Sequence, residues 1–174
     1  MESTLRLKVE SSVDKFAFYF RYAVFIAFFV YFLTVFKENP VLISIFLFIL
    51  FFFLVILTYD QIKIYDDKIE VIQKGFFKFN TSIKTFYFNQ IISIETTLRI
   101  GGEKGAIIQF IGIFRASVNL ISSNHFTLIF NDNKRKSFST QIERENLIKV
   151  FQLVKKLSGN KIIITGLDQE IPLL

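Results

Sequence analysis

Two patterns of apolar residues divide the chain. Phe16 to Phe36 is apolar with one charge, Arg21, and Val41 to Tyr59 carries no charge at all. As α-helices the two runs measure about 31 and about 28 Å, which matches a bilayer core of about 30 Å. Lys37, Glu38, Asn39 and Pro40 separate them, and so short a polar link predicts an antiparallel hairpin. Pro40 suits the first turn of the second helix, where its missing N–H costs nothing. The expected organisation is an N-terminal segment 1–15, a transmembrane hairpin 16–59 with spans 16–36 and 41–59, a β domain 60–160 and a tail 161–174.

Beyond the hairpin the period shortens to two. Gln61 to Tyr65, Lys68 to Gln73, Phe76 to Phe79, Ser82 to Phe88 and Ile91 to Leu98 alternate as strands do, with turns at Asp66-Asp67, Lys74-Gly75 and Asn80-Thr81. Ala106 to Ile111 and Arg115 to Ile121 are further strand candidates. His125 to Phe130 and Ser137 to Thr140 read as a hairpin around Asn131 to Lys134. Then the period changes again. Leu147, Phe151, Val154 and Leu157 fall at helical spacing within 141–158, with Thr140 and Glu143 as a capping-box pair and Gly159 as a terminator.

Several features place the hairpin in a membrane. Tyr19, Tyr22 and Tyr59 lie toward one end of it, as membrane-interface aromatics should. Arg6, Lys8 and Lys15 precede it and Lys63, Lys68, Lys74 and Lys78 follow it, against Lys37 alone in the link. The positive-inside rule then puts both termini in the cytoplasm of a multi-pass protein of the cell inner membrane. Arg21 sits near the cytoplasmic end, where its stem can snorkel to the headgroups. Ala23 and Ala27 form a small-xxx-small pair suited to packing on the second helix, or to an oligomer contact. No cleavage site follows the first run and no lipidation motif is present.

Composition narrows the chemistry. The chain has 174 residues, mean hydropathy +0.45, net charge +6, no Cys and one His. Thiol nucleophiles, Cys-ligated zinc and His-based metal sites are thereby excluded or disfavoured. The glycines at 101, 102 and 105 lack phosphate-loop spacing. Asp66-Asp67 is the best carboxylate pair and reads as a turn. No catalytic residue, metal site or cofactor is expected. The stronger signal is basic: Lys134, Arg135 and Lys136 at a hairpin tip, with Lys74, Lys78 and Lys84 on the early strands. These six are the candidate binding residues for anionic lipid headgroups or an acidic partner. No nucleic-acid-reading motif accompanies the charge.

About seven antiparallel strands closed by a C-terminal helix resembles a pleckstrin-homology-like barrel. The chain resembles the bacterial membrane proteins in which a transmembrane hairpin precedes such a domain. The resemblance rests on the hairpin, on Ile62 to Phe79, on Thr85 to Glu95 and on Phe138 to Leu157. It spans most of Phe16 to Leu157 and departs from the family at Ala106 to Asn124, which is long and apolar for a strand-loop-strand segment. It implies a non-catalytic, membrane-anchored binding or scaffold protein. The alternatives are an accessory subunit of a larger inner-membrane complex, through a membrane-protein partner or a second copy, and an immunity-type protective protein.

Overall fold

Leu5, Leu7 and Val9 alternate with Arg6, Lys8 and Glu10, and this period of two builds a strand ahead of the first helix. The computed structural model describes residues 3–35, 39–56, 58–98 and 124–167. The elements are β1 (Leu5–Glu10), α1 (Ser12–Val35), α2 (Pro40–Ile56), β2 (Thr58–Tyr65), β3 (Lys68–Gly75), β4 (Ser82–Tyr87), β5 (Ile91–Thr97), β6 (Asn124–Phe130), β7 (Arg135–Thr140), α3 (Arg144–Leu157) and β8 (Ile163–Thr165). The strand candidates within 106–121 and the glycine loop at 101–105 lie outside the described residues.

The strands form two four-stranded sheets, ordered β1-β2-β3-β4 and β7-β6-β5-β8. All pairs are antiparallel except β5 with β8. Among the described residues the sheets do not close into a barrel. Their facing sides and α3 share one core, which includes Ile62, Ile69, Phe86, Ile94, Phe126 and Phe151. Leu147, Val150, Phe151 and Val154 fall on one face of α3 and are fully buried. Gly159, at φ +63°, takes the left-handed conformation that ends the helix.

Three sequence expectations need correction. Residues 1–15 are not a separate segment, because β1 pairs with β2 from Leu5↔Tyr65 to Glu10↔Gln61. The two helices are therefore inserted between neighbouring strands of one sheet, and the β domain starts at Leu5. The second span does not reach Tyr59: α2 ends at Ile56, and Tyr59 pairs with Lys74 in the sheet and is 3% exposed. The last helix begins at Arg144, with Thr140 in β7. There the Thr140 hydroxyl accepts the Ile142 N–H at 3.2 Å in a turn of its own, so the expected capping box does not form. Two smaller differences follow from turn chemistry. Phe76 to Phe79 is a tight turn with a short 3-10 stretch, Lys78–Asn80, and Ile163–Thr165 of the expected tail pairs with β5.

The two helices lie side by side, with the Phe32 and Phe46 rings stacked at 4.2 Å. The stretch Lys15–Val35 is long and apolar enough to cross a membrane, and only 11% of its most apolar window is buried in the protein. A core helix of a soluble domain would hide far more of that surface. Among the described residues α1 is the one helix long and apolar enough to cross, and α2, with 17 residues, is a shorter apolar helix. Ala23 and Ala27 are exposed, which corrects their assignment to packing between the helices. The stacked phenyl rings set that contact instead.

Candidate binding surfaces

The base of the helices is one end of the molecule. There β1 leads into α1 through Ser11, which is fully buried and donates its N–H to Asp60 O of β2 at 3.4 Å. The Ser12 N–H, one of the donors that a helix start leaves unpaired, goes to Glu143 Oε1 at 3.0 Å. The Asp60 carboxylate accepts hydrogen bonds from the Thr140 hydroxyl and the Gln141 N–H, and burial pushes its pKa up despite them. Glu10 receives Lys8 at 2.6 Å and Lys15 at 3.2 Å. Burial pushes the Glu10 carboxyl up, but the two ammonium groups outweigh it and its pKa falls below the ordinary value. The helix base is thus tied to β1, β2 and the start of α3.

Aromatic rings fill the same junction. Phe18, Tyr22 and Tyr59 form a small buried cluster of their own. Tyr22 stacks on Phe76 at 4.5 Å, and Phe51 of α2 lies 6.0 Å from Phe77. Phe76 and Phe79 are 56% and 68% exposed, beside the helices. The turn that carries them needs Gly75, since a Cβ there would fall 2.1 Å from Asn80 Oδ1. That oxygen accepts the Phe77 N–H at 2.9 Å and sets the turn. Tyr19 is exposed, whereas Tyr22 and Tyr59 are buried in the junction. Arg21 is half-buried on α1. Lys74 lies over the Tyr59 ring at 6.0 Å, and Lys78 is exposed in the aromatic turn.

The remaining basic candidates lie elsewhere. The turn between β6 and β7 is pinned to the link between β4 and β5: the Asn131 N–H donates to Gln90 O, and its side-chain amide to Asn89 O. That link in turn meets the β2–β3 turn, through Phe88 N–H to Asp67 O at 2.9 Å. Lys134, Arg135 and Lys136 therefore sit at the end of the sheets remote from the helices. At roughly 3.3 Å per residue, the length of β2 puts them about 23 Å from the helix base. The six candidates do not form one surface. Lys74 and Lys78 mark the helix end, the three at 134–136 mark the remote end, and Lys84 lies between.

The remote end holds a cavity of about 570 Å³, lined in part by Phe86, Phe130, Lys134, Arg135 and Lys136. Lys134 pairs with Asp132 at 2.6 Å, and the ammonium holds that carboxyl below its usual range. Lys136 lies over the Phe86 ring at 5.0 Å and Lys84 over the Phe138 ring at 5.7 Å. At the same end Arg6 engages Asp66 and the Ser3 hydroxyl engages Asp67, so this carboxylate pair is held by the N-terminal strand. His125 pairs with Ser139 in the β6–β7 ladder. Among the described residues no three His, Asp or Glu side chains are grouped to hold a metal.

Sequence reasoning missed β1 and the Glu143–Ser12 bond. The alternation of Leu5, Leu7 and Val9 carried the first, but nothing local carried the second. No protein-family model, curated protein or solved structure matches the chain.

Proposed function

We propose that the protein is a non-catalytic, membrane-anchored binding module. α1 and α2 cross the cell inner membrane as a hairpin, both termini are cytoplasmic, and the β domain is of the pleckstrin-homology-like kind. The carrying observation is the insertion of two apolar, solvent-facing helices between paired strands of one sheet. The arrangement supports this reading because the anchor cannot swivel freely about the domain. One end of the sheets is held at the bilayer, where Phe76, Phe79, Lys74 and Lys78 meet the interface. Aromatic rings and lysines are the residues that favour that layer, and each lysine near an anionic leaflet contributes about 1 kcal/mol. Four strands in one sheet, β5 to β7 in the other and a C-terminal helix on the shared core support the pleckstrin-homology-like assignment.

The chain has no Trp, which makes a single introduced one a clean probe. In Phe79→Trp protein reconstituted in anionic vesicles, the emission should be blue-shifted and quenched by brominated lipid. Emission at the wavelength of free indole in water would refute contact between this turn and the bilayer. A second reading, an accessory subunit of a larger complex, is favoured by the exposure of Ala23 and Ala27 on α1.

A further inference from the structure

Lys84 and Lys136 occupy inward-facing positions of the two sheets. Lys84 is in register with Val71, which packs against the core, and Lys136 with Leu128, which is fully buried. Such positions normally carry apolar side chains. Here β4 and β7 are end strands that do not pair with each other, and at this unpaired opening each lysine covers a ring of the other sheet: Lys84 of β4 over Phe138, Lys136 of β7 over Phe86. The floor of this opening is aromatic, with Phe86 packed 5.7 Å from Phe130 and 5.6 Å from Phe138. Among the described residues, no carboxylate forms an ion pair with Lys84, Arg135 or Lys136, and no strand pairs with the outer edge of β4 or β7.

We infer that the opening between β4 and β7 binds an acidic, extended peptide segment of a partner protein. Lys84, Lys136 and Arg135 would meet its carboxylates, and the Phe86–Phe130 floor an apolar side chain. Two observations select a peptide. The backbone edges of β4 and β7 run beside the opening, and an added strand uses their donors and acceptors whereas a small anion uses none. The site lies toward the end remote from the helices, well beyond the roughly 8 Å over which salt screens charge from the leaflet. That second argument rests on the membrane reading above. Lysines at edge strands also discourage sheet-to-sheet aggregation. That role alone needs neither an aromatic floor nor the open cavity of about 570 Å³ that Arg135, Lys136, Phe86 and Phe130 line beside Asp132 and Lys134, next to Lys84 over the Phe138 ring.

The test uses the full chain in nonionic detergent micelles and a short fluorescent peptide alternating Glu and Val. The peptide should bind, and added salt should weaken it. Lys84→Glu with Lys136→Glu should weaken it at least about tenfold, an effect expected for lost charge-assisted contacts. Lys84→Arg with Lys136→Arg should retain it. Hydrogen exchange should slow at the amides of β4 or β7 when the peptide is present. Equal binding of a Lys/Val peptide, displacement by inorganic phosphate or by anionic vesicles, or no binding at all would overturn the inference. Alkaline carbonate extraction of membranes is the independent arm. Release of the protein would sink the membrane reading whatever the peptide does, and retention without peptide binding would sink this inference alone.

Discussion

The Glu143 carboxylate accepts the backbone N–H of Ser12 at 3.0 Å. A side chain at the start of α3 thereby serves the first residue of α1, far away in sequence. The bond joins the apolar helix to the C-terminal part of the domain. It also places negative charge at a helix N-terminus, where the helix dipole favours it. Glu143→Ala should cost about 1 kcal/mol, the usual scale for losing such a cap. Glu143→Gln, which keeps an acceptor oxygen, should lose less. Thermal unfolding of both variants in detergent gives the comparison, and equal stability of Glu143→Ala and the parent would show that the bond carries nothing.

Asp60 sits beneath the same junction, with its pKa raised mainly by burial. A raised pKa means that the fold prefers the protonated form. The associated stability is present at low pH and lost as pH rises through the folded-state value. Asp60→Asn, which cannot ionise, should therefore be more stable than the parent at pH 7. The gap should close as the pH falls toward about 4, the ordinary carboxylate range. Melting curves across that window test the sign, and a gap that widens on acidification would contradict it.

Phe126 is 1% exposed, with its ring 5.0 Å from Phe138 and 5.5 Å from Phe151. It joins the second sheet to α3. Phe126→Ala should cost about 3–5 kcal/mol, the range for emptying a buried aromatic site. Denaturant titration followed by far-ultraviolet circular dichroism measures it. A loss under about 1 kcal/mol would mean that the neighbouring rings close the space.

The chain lacks Cys, so one introduced thiol reports its own side of the membrane. In intact cells, Asn39→Cys at the start of α2 should react with a membrane-impermeant maleimide. Lys161→Cys, beyond α3, should react only after lysis. The reverse pattern would invert the proposed orientation, and the basic end near Lys74 and Lys78 would then face away from the cytoplasmic leaflet.

Much of the architecture was legible in the chain. The stretches from Phe16 and from Val41 read as helices because so many consecutive uncharged residues leave few other ways to satisfy backbone and solvent. α3 was legible because Leu147, Phe151 and Val154 repeat at helical spacing with Lys155 and Lys156 in the last turn. β2 to β7 followed from alternation and turn residues. The errors cluster where helix meets sheet. Thr58 and Tyr59 are compatible with either element by local preference, and only pairing with Lys74 and Gly75 makes them strand. β1 is short, and its partner is brought beside it by the helical hairpin.

By itself the sequence determined the apolar stretches that form helices, the strands β2 to β7, and that the domain is basic. It could not determine which turns share an end, because alternation gives a strand its two faces but not its neighbours or their register. The tertiary structure decided that. Lys74 and Lys78 fall beside the helices because Gly75 pairs with Thr58. Lys134, Arg135 and Lys136 fall at the opposite end because Asn131 bonds to Gln90. The six candidate cations thus divide between two ends of the sheets with different neighbours, Lys84 lying between them, and charge acts only over about the Debye length within which packing places its partners.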